Sequence, residues 1–177
     1  MENQVSTTVA VDSQTIGSEK KAGSSLLQFV GFSLAEVDYA FEIRRIQEII
    51  LMPPVTRIPQ MPDWIDGLIN LRGSVIPVVN LRKRFELEPR PSDEYTRIIV
   101  LNHSGKTVGV VVDSVSRVIK LTNNEIQPPP VTINSQERAC LQGVAKVDDR
   151  LVVILDVDRL LMMEGLKNAM ETVNRPG

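Results

Sequence analysis

The chain has 177 residues, 42% of them hydrophobic, and a formal net charge of −2. That is enough apolar material for a core, but the concentrated positive surface needed for phosphate contacts is missing, which argues against a nucleic-acid binder. One cysteine, Cys140, allows no internal disulfide, and no apolar run approaches the ~20 residues of a membrane helix.

Residues 1–25 are rich in Ser, Thr, Gln and charge and lack periodicity, which predicts a disordered arm. The arm has neither a basic start nor an apolar signal core, so a cytoplasmic protein is expected. From Leu26 the character changes. Short runs rich in Val and Ile alternate with turn signals such as SLAEVD, NHSGK, TNNE and VDDR. Many short strands at close spacing predict an all-β sandwich or barrel. The proline-rich stretches MPPVTRIPQMP (52–62) and QPPPVTI (127–133) read as edges or extended connectors, because proline cannot donate to a ladder.

Between them lies GLINLRGSVIPVVNLRKRF (67–85). Asp66-Gly67 opens a strand, Leu68 and Ile69 point inward, and Leu71-Arg72-Gly73-Ser74 makes a tight hairpin. Val75 to Val79 runs back, with Pro77 marking an edge strand, and Arg82-Lys83-Arg84 is a solvated exit. A guanidinium on a rigid hairpin between apolar neighbours suits an ion pair or an interface anchor. Glu48, in RRIQEII, is the nearest candidate partner. An internal Glu48–Arg72 bridge and a partner surface both stay open, and they are compatible.

Catalytic signals are absent. His103 sits in a turn signal, and Cys140 has no neighbouring histidine or second cysteine to make a metal site or an activated thiol. Asp113, Asp156 and Asp158 follow apolar runs, where aspartate ends strands or starts turns. No phosphate-cradling glycine loop and no G-x-S-x-G elbow occurs. A non-enzyme without catalytic residues, metal or cofactor is expected. In the tail, 164–177, Leu166, Met170 and Val173 fall at helical spacing, which predicts a short helix, either packed on the second barrel or free.

The strands also repeat. Residues 27–50 slid by 69 meet 96–119 without a gap, apolar on apolar at most positions. Residues 67–85 slid by 76 meet 143–161 in the same way. Each half holds about 65 residues, a size at which a lone core barely outweighs conformational entropy. Two such halves gain by burying apolar faces against each other, which predicts two lobes with a groove between them. Ile46 and Ile49 fall on the same repeat positions as Val115 and Val118. Ordinary core packing is the competing reading for all four.

The run YAFEIRRIQEII (39–50), then PDWIDGLINLRGSVIPVVNLR (62–82), then VGVVVDSVSRVI (108–119) resembles the CheW family of chemotaxis coupling proteins. The likeness spans roughly Leu26 to Leu161. It implies two small five-stranded SH3-like β-barrel lobes around a shared core, with short helical segments. The domain would cover 26–163, its first lobe near 26–90 and its second near 95–161, with exchange of strands between lobes left open. The resemblance further implies a non-enzymatic adaptor whose partners are the cytoplasmic tip of methyl-accepting chemoreceptors and the regulatory domain of the chemotaxis histidine kinase. It would be recruited to membrane-associated receptor arrays without membrane insertion, and would be monomeric outside them. By matching positions, the receptor-facing groove would use Ile46, Glu48, Ile49, Arg72, Val115 and Val118. The kinase contacts stay unassigned. A coupling protein of a surface-motility or developmental pathway is the alternative.

Overall fold

The computed structural model describes residues 25–133, 135–162 and 164–174. The predicted arm therefore lies outside the described residues except for Ser25. Ten strands carry the fold: β1 (Leu26–Leu34), β2 (Val37–Glu42), β3 (Ile46–Leu51), β4 (Ile65–Leu71), β5 (Ser74–Asn80), β6 (Arg97–His103), β7 (Lys106–Val112), β8 (Ser114–Thr122), β9 (Leu141–Val147) and β10 (Arg150–Leu155). Four helices accompany them: α1 (Leu81–Arg84), α2 (Ser135–Arg138), α3 (Val157–Leu161) and α4 (Glu164–Asn174).

The strands form two five-stranded sheets, sheet A in the order β8-β1-β2-β10-β9 and sheet B in the order β3-β6-β7-β5-β4. In each, all five strands contribute to one private core. Phe29, Ala40, Ile119, Ala145 and Ile154 meet inside sheet A, and Ile69, Val78, Ile98 and Val100 meet inside sheet B with Ile50 and Val111 packed on them. A sheet whose edge strands share one cluster has wrapped into a barrel. A third and larger cluster joins the lobes, with Phe32, Phe41 and Leu155 from sheet A against Val79, Ile99 and Val110 from sheet B. This sandwiching explains the unbroken VGVVV of β7. Val108, Val110 and Val112 face the shared core while Val111 faces the barrel interior, so neither side is free to be polar.

The repeat extends to every strand. Shifting residues by 69 carries β1, β2 and β3 onto β6, β7 and β8, and shifting by 76 carries β4 and β5 onto β9 and β10. The same shifts turn the strand order of sheet A into that of sheet B. The lobes are not the contiguous spans 26–90 and 95–161, however. Sheet A takes two strands from the first half and three from the second, and sheet B the reverse. Along the strands the chain crosses between lobes twice, through the 3-10 turn Ile43–Arg45 and through Asp113, which follows β7 directly and precedes β8, and after β10 the tail crosses back to sheet B. The physical cause is parallel pairing. β2 finds β10, and β5 finds β7, across the halves.

Two local readings change. Pro77 is not on an edge, because β5 lies between β7 and β4. Its partner Leu68 commits its N–H and C=O to Thr56, both at 2.8 Å, so the Leu68–Pro77 pair needs no ladder bond. The parallel ladder to β7 starts only at Val78, and the missing donor costs nothing. Nor is Arg82-Lys83-Arg84 merely solvated. It is a one-turn helix capped by Asn80, whose Oδ1 accepts from Lys83 N at 3.1 Å. Arg82 pairs with Asp113, Lys83 with Asp66, and the Arg84 guanidinium stands 5.4 Å from the Trp64 ring. The proline-rich connectors touch the free edges of β4 and β9 through isolated bridges, Thr56 to Leu68 and Gln127 to Val144. Gly67 and Gly143, at matching repeat positions, make that approach possible. A Cβ on Gly67 would lie 2.1 Å from Thr56 O, and one on Gly143 2.5 Å from Gln127 O.

The tail is helical over Glu164–Asn174, with Leu166, Ala169 and Met170 buried and Val173 half-buried. It packs on β5 of sheet B.

Candidate functional site

Arg72 and Gly73 form the two-residue turn of the β4–β5 hairpin, both with positive φ, 50° and 89°. A twisted hairpin favours this turn, but its corners suit Asn, Asp and Gly, and an arginine there sits against its own conformational preference. Asn70 Oδ1 accepts from Gly73 N at 2.9 Å and braces the loop. The closing of sheet B brings Arg72, at one edge of the sheet, to Glu48 on β3 at the other, with Nη2 to Oε1 at 2.5 Å. The side chains are unequally covered, 66% exposed for Arg72 and 23% for Glu48. A cleft of about 420 Å³ opens beside the pair, lined also by Gln47, Leu71, Ser74 and Thr107.

The four apolar candidates occupy a different place. In a regular strand, residues three apart face opposite ways. β3 carries a bulge between Ile46 and Glu48, so Ile46 lies opposite Leu101 and Ile49 opposite Ile99, both members of the inter-lobe core. β8 does the same, with Val115 opposite Phe32 and Val118 opposite Val30 across a bulge. Each pair therefore shares one face of its sheet. Ile46 and Val115 are the inner members, packed on the shared core, while Ile49 and Val118 are 39% and 50% exposed. Ile46 and Val115 are half-buried against that core, and Ile49 and Val118 stand at the surface. Glu48 lies opposite Val100, on the barrel-interior side, so adjacent residues of β3 supply both the ion pair and the apolar strip.

Among the ion pairs of the described residues, the most enclosed belongs to neither group. Arg82 donates to both Asp113 carboxylate oxygens, at 2.9 and 2.7 Å, with side chains only 11% and 13% exposed. Asp113 also accepts from Ala35 N at 2.9 Å, and its own N–H donates to Ser33 O. One carboxylate thus ties sheet B to the β1–β2 hairpin of sheet A. Burial opposes its charge, but Arg82, the Ala35 N–H and Arg90 outweigh that and hold the carboxyl below its ordinary value. Cys140 is buried, and burial pushes its thiol up, which removes nucleophilic character at neutral pH. Among the described residues, no group of His, Cys, Asp and Glu is placed to hold a metal, and no helix is long and apolar enough to cross a membrane.

The CheW-like domain family matches residues 28–164. The chain belongs to the CheW family. It is 34% identical to the chemotaxis protein CheW of Helicobacter pylori over 82% of this chain and 87% of that one, and 38% identical to that of Klebsiella aerogenes over 82% and 88%. The crystal structure of the scaffolding protein TtCheW from Thermoanaerobacter tengcongensis superposes with a TM-score of 0.72 at 38% identity, covering 80% of this chain and 96% of TtCheW. The two SH3-like lobes are thus the shared fold of this CheW-family chain. Sequence reasoning located the Glu48–Arg72 pair of this CheW-type fold but missed Arg82–Asp113. Its only advance signal was a basic run and an aspartate that both follow apolar strands.

Proposed function

We propose that this chain is a non-enzymatic cytoplasmic adaptor that couples the tips of chemoreceptors to the regulatory domain of a chemotaxis histidine kinase in membrane-associated arrays. The observation that carries this reading is Arg72. It occupies a turn position with φ of 50°, is braced by Glu48, and still leaves two-thirds of its side chain to solvent beside the cleft. A guanidinium held out from a rigid hairpin suits an interface anchor. The outer residues Ile49 and Val118 supply apolar area for an amphipathic helical hairpin, and Ile46 and Val115 form the floor beneath them.

The test is calorimetric titration of the purified chain with a soluble chemoreceptor cytoplasmic fragment, and separately with the kinase regulatory domain, both from the same genome. Binding in the micromolar range is expected for each. Arg72→Ala should weaken the receptor fragment by about 2 kcal/mol, roughly 30-fold, and leave the kinase domain unaffected. A folded chain that binds neither partner would overturn the adaptor reading.

A further inference from the structure

On each lobe the proposed groove runs out to an exposed residue of an outer strand, Ile49 on β3 and Val118 on β8. Beyond these two residues the lobes differ. From Glu48 onward β3 pairs with β6 in regular register, and Ile50 packs inside sheet B. Side chains alternate along a strand, so Leu51 points the same way as Ile49. Leu51 is 67% exposed, the more open of the two. It lies opposite Arg97, and two residues before Arg97 stands Tyr95, 60% exposed. Ile46, Ile49 and Leu51 thus lead along sheet B away from the Arg72 rim, with Tyr95 at the far end.

Tyr95 is not on a loose segment. Its N–H donates to Asp93 Oδ1 at 2.8 Å, the Asp93 N–H donates to Thr96 Oγ1 at 2.9 Å, and Thr96 itself is buried. Arg90 holds the Asp93 carboxylate at 2.7 Å. A braced turn that keeps an aromatic ring in solvent spares a partner the entropy of ordering it. The repeat supplies the comparison. Shifting by 69 carries Leu51 onto Lys120, Arg97 onto Gln28 and Tyr95 onto Leu26. Lys120 and Gln28 lie opposite each other and are exposed, so on sheet A polar residues separate Val118 from Leu26. Both lobes keep the strand pairing, and sheet B carries the apolar continuation.

We propose that Leu51 and Tyr95 lengthen the docking strip on sheet B, and that its occupant is an amphipathic helix of the receptor hairpin lying along β3. This rests on the adaptor reading above and adds two contact residues and the direction of the helix. The strand from Ile46 to Leu51 covers about 16 Å, roughly three turns of helix, and Tyr95 adds about one more. Beside the strip, β6 offers only the buried Ile99 and the charged Arg97. A strip one strand wide suits the stripe of a single helix. Sheet A offers the same hairpin the shorter contact through Val115 and Val118.

Leu51→Ser and Tyr95→Ala test this by calorimetric titration with the soluble chemoreceptor cytoplasmic fragment, each checked for a native melting profile. Both side chains are mostly exposed, so the fold should tolerate their loss. Each should weaken the fragment at least about fivefold, and the two together more than either, with the kinase regulatory domain unaffected. Lys120→Ser, the matching change on sheet A, should stay within about twofold of the parent. A loss there as large as in Leu51→Ser would overturn the asymmetry between the lobes. If Ile49→Ser weakens the fragment while Leu51→Ser and Tyr95→Ala bind like the parent, the inference falls and the adaptor reading stands. An equal loss for the kinase domain, or a parent dimer in sedimentation that Leu51→Ser disperses, gives the strip another occupant and overturns the inference. A parent that binds no fragment overturns the adaptor reading, and the inference with it.

Discussion

Arg72 and Arg82 carry the same guanidinium on the same hairpin unit, and their surroundings give them opposite uses. Arg72 is held to Glu48 by a mostly solvated pair, an arrangement worth little to stability, about 1 kcal/mol or less. Arg82 is enclosed with Asp113, and removing it strands a carboxylate at the junction of the two lobes. Arg82→Ala should therefore cost about 3 kcal/mol in urea unfolding, a cost that Arg72→Ala does not share. The pH dependence follows from the sign of the Asp113 shift. Its folded pKa lies below the ordinary 3.8, so the folded state binds that proton more weakly than the unfolded one. The stabilisation is fully present above the unfolded value and disappears as pH falls through the folded value. Thermal melts between about pH 5 and pH 2 should show an acid loss that is shallower in Asp113→Asn than in the parent. Equal slopes would remove Asp113 from the acid response.

Among the elements, α4 lies beyond the end of the repeat. It closes over β5 with Leu166 fully buried, and Gly165 at its start lets the backbone approach Pro62 and Trp64. Leu166→Ala should cost about 3 kcal/mol, read as a lowered urea midpoint with unchanged slope. The helix was legible from the spacing of Leu166, Met170 and Val173, but its docking site was not, because nothing local names the strand that receives it. The strands were legible for a comparable reason. Val and Ile runs punctuated by turn residues declare themselves within a few positions, and two ungapped offsets expose the duplication. Pro77 misled because a single strand does not reveal where its neighbour's ladder begins. The basic run 82–84 misled because Asp66 and Asp113, which neutralise it, are supplied by β4 and by the link after β7. The shared face of Ile46 and Ile49 depends on a bulge, and the repeat suggested it only by carrying the same apolar spacing into Val115 and Val118.

For the whole molecule, the exchange of strands decides how it unfolds. Residues 26–90 own two strands of sheet A and three of sheet B, and residues 95–161 own the complement. Neither segment alone can complete a sheet, so each should give a disordered far-ultraviolet spectrum, and mixing the two should restore the β signal. The intact chain should melt in one transition with matching calorimetric and van't Hoff enthalpies, because the inter-lobe cluster is built from both sheets. Two separate transitions would contradict this. The two crossings, at Ile43–Arg45 and at Asp113, also restrict how the lobes can move relative to each other. A pair of bodies strung on one tether can twist, swing and slide. Strung on three, with the tail returning from β10 to β5 as the third and a common core between them, they keep none of these freely. Arg82 grips Asp113 at one crossing, and Arg45 at the other is gripped by Asp158 of α3. A pull on either rim is thereby passed to both lobes together, as through a seam riveted along its length.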